Sequence, residues 1–278
     1  MIKHYSNSSL SKRSDCGKKF EYRYIAEMHE KIKPSLVIGS MVDRAVNAIH
    51  LKKMEVGSPL DPVMEMFNHL RDEKMLFGKE MKDEDWDESS SIADLICEEN
   101  LLEEFEDMID YEPLHVQMKI QFRIKGVSLP IIGYPDVIAR RDNPAFSQPG
   151  DEFLISDVKT SKSKISKISH GYKTQLSTYV LGWMWKHGKD VIPQTELRVL
   201  VKTKKPYWMV LPVSLTADDL GVTIEAYREH EHAINAKWFP MNRASHFCSL
   251  KNCGFYEICH NENSHELKNV MEKIQYAY

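Results

Sequence analysis

The sequence predicts an α/β domain in which helices pack on a mixed β-sheet, with a helical portion at the N-terminus. Two observations support this fold class. Over roughly the first 110 residues, apolar side chains recur at three- and four-residue spacing, which is typical of amphipathic helices. From residue 116 onward the order is three strands, a helix, two strands and a helix, which is typical of a sheet covered by helices.

Four helices are predicted in the N-terminal portion. They cover residues 7–26, with Ser6 or Ser8 as the cap; residues 36–50, after the break at Pro34; a segment opened by Pro59 and Pro62 that runs to residue 77; and residues 89–109. The run 81–88 is highly charged, and we expect it to be a loop.

The remaining elements follow from a change of period. Residues 116–124 alternate strictly between apolar and polar side chains, as a half-buried strand does. The other predictions are strands over 129–139, 152–160, 195–203 and 207–213, helices over 165–187 and from the cap Thr216 to residue 236, and a loop over 143–150.

Composition narrows the class of protein. The 278 residues are 42% apolar and 28% charged, and no segment is apolar enough to span a membrane. Polar Ser and Asn residues follow Tyr5 where a signal peptide would be apolar, so we expect no secretory signal. We therefore expect an intracellular, cytoplasmic protein. In such a compartment the five cysteines are expected to be thiols or metal ligands.

The net charge of −4 hides a strong asymmetry. Residues 61–112 hold 19 acidic and 4 basic side chains, whereas residues 151–210 hold 5 acidic and 11 basic ones. The basic stretch could face a polyanion. The acidic helical region is either a solvated face or a docking surface for a protein partner.

Two neighbouring predicted strands each place a carboxylate in an apolar setting. Asp136 is the single acidic residue of the strand over 129–139, and Asp157 and Lys159 share one face of the next strand. Adjacent carboxylates repel unless a cation lies between them, and oxygen ligands suit Mg²⁺ or Mn²⁺. Together these residues predict metal-dependent phosphodiester hydrolysis. The alternative interpretation is a salt bridge at a strand end.

The next predicted helix carries Gln175 and Tyr179 on one face, four residues apart. They could face the carboxylates, or Tyr179 could be core and Gln175 surface. Five lysines bracket the junction between strand and helix, where they could hold a phosphate backbone or form a solvated loop; they are Lys159, Lys162, Lys164, Lys167 and Lys173.

These ordered motifs resemble the PD-(D/E)XK nuclease superfamily, and its RecB-type branch in particular, which includes recombination exonucleases and CRISPR-adaptation nucleases. The matching residues are Asp136, Asp157-Val158-Lys159 and Gln175-x-x-x-Tyr179, preceded by Ser8-Ser9-Leu10 and Gly39-x-x-x-Asp43. The resemblance covers about residues 5–260. It implies a restriction-endonuclease-like mixed sheet flanked by helices. It also divides the chain into an N-terminal helical portion of the nuclease domain (1–112), a nuclease core (113–240) and a Cys-rich tail (241–278).

The resemblance also implies roles for individual residues. Asp136 and Asp157 would bind Mg²⁺ or Mn²⁺, assisted by the carbonyl of Val158 and by Asp43. Lys159 would position the attacking water, and Gln175 and Tyr179 would hold the DNA strand. The family has a histidine where this sequence has Asp43, so either Asp43 is an oxygen ligand or the site is degraded.

Four of the cysteines match a further feature of that branch. Cys16 lies near the N-terminus, and Cys248, Cys253 and Cys259 lie near the C-terminus. By resemblance they would hold a [4Fe-4S] cluster, although the four-residue spacing after Cys248 is longer than usual. Zinc and ordinary reduced thiols remain open, because thiolates suit both metals.

The expected function is therefore a metal-dependent DNA nuclease, acting as an exonuclease on DNA ends or single strands. The alternative is a DNA-binding subunit with the same fold that does not cleave. A third interpretation is a metal-stapled structural protein in which Asp157 and Lys159 only form a salt bridge.

Overall fold

A five-stranded mixed sheet lies at the centre of the fold. The computed structural model describes residues 2–30, 32–54, 61–79, 81–142, 150–250 and 252–262. The elements are α1 (Asn7–Asp15), α2 (Gly17–Phe20), a π-helical turn (Glu21–Ile25), α3 (Pro34–Lys53), α4 (Pro62–Phe77), α5 (Asp83–Glu98), α6 (Leu101–Asp107), β1 (Glu112–Val116), β2 (Ile120–Phe122), β3 (Ile131–Gly133), β4 (Val137–Arg140), β5 (Phe153–Ser161), α7 (His170–His187), β6 (Gln194–Val201), β7 (Tyr207–Pro212), α8 (Ala217–Asn235) and α9 (Tyr256–Glu262).

The strand order of the central sheet is β1-β4-β5-β6-β7. Strands β5 and β6 are parallel, and the other neighbouring pairs are antiparallel. A parallel pair needs a long crossover, which α7 provides. The predicted fold class, a mixed sheet flanked by helices, is confirmed.

Both faces of the central strands are buried. On β5, Val158 packs against a core formed mainly by α3–α6, which we call the first core, whereas Ile155 packs against a second core that includes α7 and α8. Leu200 and Val199 of β6 divide in the same way. Side chains alternate across a strand, so a run of apolar residues supplies both layers.

A small second sheet covers part of α7. Strands β2 and β3 pair antiparallel, and the N-terminal residue Tyr5 joins them by accepting from the Ile132 amide at 2.8 Å and donating to the Pro130 carbonyl at 2.9 Å. Gly182 of α7 lies directly against β2, since a Cβ at this position would be 1.9 Å from Ile120 Cγ2.

Two predicted strands are each divided between the two sheets. The segment 116–124 separates because Gln117 adopts a left-handed backbone conformation, with φ of 49°, between β1 and β2. The segment 129–139 separates at Tyr134–Asp136 into β3 and β4. Pro135 has no amide to donate to a strand ladder, so a break at this point is physically reasonable.

Several helix predictions also need correction. The helix over 7–26 is interrupted at Cys16, which is extended, and the helix over 89–109 breaks at Asn100, with φ of 51°. The loop predicted over 81–88 is wrong, because α5 begins at Asp83 and Trp86 is buried in the first core. The helix predicted over 165–187 begins only at His170. Pro59 and residues 143–149 lie outside the described residues.

The predicted caps are found where the sequence places them. Ser6 and Thr216 both form capping boxes, in which the side chain accepts from a backbone amide in the first helical turn. None of the helices in the described ranges combines the length and apolar character needed to cross a membrane.

A buried ionic network fastens the sheet to the N-terminal helices. Arg198 of β6 is 1% exposed and donates to Glu196 Oε1 at 2.7 Å and to the Met108 carbonyl at 3.0 Å. Its guanidinium also lies 4.7 Å from the centre of the Tyr111 ring. Arg141 also donates to Glu196 Oε2 at 2.8 Å. Glu196 and Arg198 both belong to β6, so the bond to the Met108 carbonyl is the one that ties the sheet to the end of α6. Breaking it would leave a buried guanidinium without one of its acceptors.

We predict opposite effects for two helical glycine substitutions. Gly182→Ala should lower the free energy of unfolding by about 1–3 kcal/mol, because the added methyl group overlaps Ile120. Gly221→Ala in α8 should raise it by up to about 1 kcal/mol, because a Cβ there meets nothing within 4 Å and alanine favours the helix. Urea unfolding of both variants measures the difference. Equal effects would contradict the close packing of α7 on β2.

Candidate active site

A cleft near the C-terminal end of β5, between α3 and α7, contains every residue proposed for catalysis or for the divalent metal. These residues are Asp43, Asp136, Asp157, Val158, Lys159, Gln175 and Tyr179. They come from α3, the segment before β4, β5 and α7, and the cleft is open to solvent.

Asp136 is held where the pairing of β4 with β5 ends. The last antiparallel partners are Val137 and Ser156, and beyond them the Asp136 carboxylate takes the place of the missing strand. Its Oδ2 accepts from the Val158 amide at 2.6 Å. The side chain is 8% exposed, so a fixed hydrogen bond to backbone is the natural compensation for its burial.

Asp157 and Lys159 project from the same face of β5, as the strand period predicts. Asp157 is 1% exposed, and its Oδ1 accepts from Gln175 Nε2 at 3.0 Å. Among the described residues its Oδ2 accepts no hydrogen bond, but it is in ion-pair contact with Lys159 Nζ. The lysine also donates to the Val158 carbonyl at 3.1 Å. The salt bridge of the alternative interpretation thus exists, and it lies inside the cleft.

The first turns of α7 carry Gln175 and Tyr179 into the same cleft. Ser169 caps this helix by accepting from the Tyr172 amide. Gln175 Nε2 donates to the Tyr179 hydroxyl at 2.9 Å as well as to Asp157. The ring of Tyr179 packs in the second core, so this residue is both core and cleft lining.

Gln117 is a residue of this site that the sequence did not single out. Its Nε2 donates to Asp136 Oδ1 at 2.8 Å and lies 3.4 Å from Asp43 Oδ1, so one amide links the two carboxylates. The regular alternation of 116–124 favoured an outward polar position. Nothing in that pattern indicates the left-handed conformation that turns Gln117 toward Asp136.

The electrostatics of the cleft are those of crowded carboxylates. Burial, and then the charge of Asp157, raise the pKa of Asp136 well above its usual range. Burial also raises the pKa of Asp43. Burial alone would lower the pKa of Lys159, but the carboxylates of Asp157 and Asp136 outweigh it and raise that pKa. Lys159 is therefore an ammonium group at neutral pH, able to donate but not to accept a proton.

Oxygen atoms in this cleft could hold a cation. The carboxylates of Asp136, Asp157 and Asp43 and the carbonyl of Val158 all line it. In the part of the chain that the structure describes, no three His, Cys, Asp or Glu side chains are already gathered as a metal-binding group. Lys159 is in contact with Asp157 Oδ2, so a cation that binds this oxygen would have to displace the lysine ammonium.

The four cysteines predicted to act together line a second cavity. Cys16, Cys248, Cys253 and Cys259 meet there, with His260 beside them. Burial and then Cys16 raise the pKa of the Cys248 thiol, and burial and then Cys16 raise that of Cys259. None of the five cysteines, all of which are described, forms a disulfide. Cys97 lies apart and packs against the first core.

A mixed sheet of this order, with Asp157 and Lys159 on its middle strand β5 and Asp136 just before the neighbouring β4, is typical of a nuclease-type hydrolase fold. The family model of the PD-(D/E)XK nuclease superfamily matches residues 4–260, and the chain belongs to this superfamily. A search of curated proteins found no match.

Two solved structures are similar to this chain at low sequence identity. One is described as a "Putative exonuclease" from Eubacterium rectale; it is 12% identical with a TM-score of 0.54, over 98% of this chain and 94% of that one. Another, named SSO0001, is 14% identical with a TM-score of 0.37, over 92% of this chain and 96% of that one. At 12% identity the likeness to the first structure shows the fold and not a particular activity.

We predict that Gly133 and Tyr179 are energetically coupled. A Cβ at position 133 would lie 2.8 Å from Tyr179 Cε1, so Gly133→Ala should lower the free energy of unfolding by about 1–3 kcal/mol. In a Tyr179→Ala background the same substitution should have an effect below about 0.5 kcal/mol, because the ring is gone. Urea unfolding of the four proteins completes the cycle. An equal loss in both backgrounds would contradict this contact.

Proposed function

We propose that this protein is a metal-dependent deoxyribonuclease that hydrolyses phosphodiester bonds, acting as an exonuclease on DNA ends or single strands. The observation that carries the proposal is the convergence of Asp136, Asp157 and Lys159 in one solvent-open cleft. The resemblance to the RecB-type branch supports exonuclease rather than endonuclease activity.

The residues of the cleft fit a hard divalent cation. Asp136, Asp157, Asp43 and the Val158 carbonyl would hold Mg²⁺ or Mn²⁺, because both ions prefer oxygen ligands. A cation would also relieve the repulsion that, with burial, raises the pKa of Asp136. When bound, the ion polarises the phosphoryl oxygens and stabilises charge on them.

The other cleft residues act through hydrogen bonds. The Lys159 ammonium would orient the attacking water and donate to the phosphoryl group as negative charge develops there. Gln175 fixes one oxygen of Asp157 and would therefore position it for the cation. The Tyr179 hydroxyl, 2.9 Å from Gln175 Nε2, would hold the DNA strand next to the scissile phosphate.

Asp157→Asn should reduce metal-dependent DNA cleavage by about a hundredfold or more, because it removes one ligand charge with little change of shape. The measurement is the cleavage rate of end-labelled single- and double-stranded DNA with Mg²⁺, Mn²⁺ or EDTA. The same variant should lose the rise in melting temperature that Mg²⁺ gives the wild-type protein. Asp190→Asn, at an exposed position after α7, is the matched control and should leave both readouts unchanged.

Cleavage by Asp157→Asn at the wild-type rate would overturn the assignment. A wild-type protein that binds DNA but cleaves it with neither metal would support the alternative, a non-cleaving DNA-binding subunit. The presence of Asp43 where the family has a histidine favours that alternative. In that case the acidic helical region of residues 61–112 would be the first surface to test for a protein partner.

We further propose that Cys16, Cys248, Cys253 and Cys259 hold a [4Fe-4S] cluster that joins the two ends of the nuclease domain. Four thiols that line one cavity are the ligand set such a cluster needs. The resemblance to the RecB-type branch favours the cluster over zinc. Zinc remains the alternative because His260 lies in the same cavity.

Cys253→Ser should abolish the brown visible absorption expected of anaerobically purified protein and lower its melting temperature, because a serine hydroxyl is a poor cluster ligand. Cys97→Ser, in α5, is the control and should keep the absorption. Bound zinc without visible absorption would identify the other metal. Absence of both iron and zinc from the anaerobic wild-type protein would leave the four cysteines as ordinary thiols.

A further inference from the structure

Two lysine-rich segments leave the central sheet side by side. Strands β5 and β6 are parallel and end at the partners Ser161 and Val201, so the chain continues from both at the same edge. The Lys202 amide donates to the Ser161 carbonyl at 2.7 Å and joins the two segments. We call their lysines the lysine ridge; they are Lys162, Lys164, Lys167, Lys202, Lys204 and Lys205.

The first segment is anchored to the domain. Ile165 and Ile168 are partly buried against the second core, while Lys164 and Lys167 are exposed. The Ser161 hydroxyl donates to the Ser163 carbonyl at 2.7 Å and shapes the start of the segment. The lysines are therefore presented on a fixed support.

The lysines of the ridge are not engaged in ion pairs among the described residues, whereas Lys159 pairs with Asp157 and Lys173 with Asp219 at 3.0 Å. Neither segment 161–169 nor segment 202–206 contains an acidic residue. Burial and then Lys162 lower the pKa of Lys202, with Glu88 opposing them, which places like charges close together.

The ridge continues directly from the candidate active site. Lys159 and Thr160 line the cleft. Lys162 is three residues beyond Lys159, a separation along the chain of at most about 10 Å. A surface of several unpaired cations beside a phosphodiester-cleaving site is suited to a polyanion that extends beyond the reacting bond.

We propose that the lysine ridge binds the phosphate backbone of the nucleic acid next to the scissile bond, without reading its sequence. The substrate class rests on the proposed nuclease function. Lysine side chains attract phosphates as point charges and give no base discrimination, so the contribution should be to affinity and to its dependence on salt.

The test is the salt dependence of DNA binding in EDTA, where metal-dependent cleavage does not occur. The ridge variant combines four glutamine substitutions, Lys162→Gln, Lys164→Gln, Lys204→Gln and Lys205→Gln. The probes are a fluorescently labelled single strand and the corresponding duplex, titrated at several NaCl concentrations. The slope of log K against log salt should fall in magnitude by about 3 for the single strand, since each lost contact removes about 0.7.

The matched control removes the same number of charges elsewhere. Lys53, Lys125, Lys186 and Lys189 are exposed and, in the described part of the chain, have no ion-pair partner. Their four glutamine substitutions should change the slope by less than about 1. Equal slopes for the two fourfold variants would overturn the proposal. Because all eight side chains are exposed, both proteins should melt close to the wild-type temperature.

Cleavage assays separate this inference from the proposed function. If wild-type protein cleaves DNA with Mg²⁺ but the ridge variant binds DNA like the control, the proposed role of the ridge is wrong and the proposed nuclease activity is supported. If the ridge variant lowers the slope of log K against log salt but the wild-type protein cleaves DNA with neither metal, the proposed nuclease activity is wrong. The ridge would then bind DNA in a non-cleaving subunit.

Discussion

The hydrogen bond from the Val158 amide to Asp136 Oδ2 determines the geometry of the whole site. It lies at the position where β4 stops pairing with β5 at Val137, so a side-chain carboxylate replaces the next strand carbonyl. The exchange satisfies a buried amide that would otherwise lose about 1–3 kcal/mol of hydrogen-bonding free energy. It also fixes Asp136 beside Asp157, so one contact ends the strand pairing and assembles the two carboxylates.

Bringing those carboxylates together opposes folding in the absence of a cation. Burial and mutual repulsion favour the neutral form of Asp136, while Lys159 supplies the local positive charge. The arrangement persists because other contacts hold its supports in place, above all the bond from buried Arg198 of β6 to the Met108 carbonyl at the end of α6. Active sites commonly combine such local strain with a rigid surrounding structure.

How much could be predicted follows from the range of each interaction. The spacing of Asp157 and Lys159 depends only on the strand period, so a single sequence suffices to place them on one face. The position of Asp43 in the active-site cleft depends on how α3 packs against β5, and no local sequence pattern encodes that packing. Asn100 and Pro135 carried signals for the breaks at which they lie, since asparagine favours left-handed conformations and proline leaves strands. Gln117 has no such local signal for its left-handed conformation. Trp86 lies in a charged run, and the surrounding charges led to the prediction of a loop where the chain forms a helix that buries this side chain.

Burial explains why lysines of one sequence stretch can have different roles. Lys159 is enclosed by carboxylates, and its charge acts over a few ångströms with little interference from dissolved ions. The ridge lysines are largely exposed and unpaired among the described residues, so their attraction reaches further into solvent and is screened by salt. Ionic strength should therefore weaken capture of the polyanion far more than the hydrogen bonds at the reacting phosphate. The separation between affinity and chemistry is built into the chain that carries both kinds of lysine, because it passes from the carboxylate-lined cleft at Lys159 to the exposed edge at Lys162 within three residues.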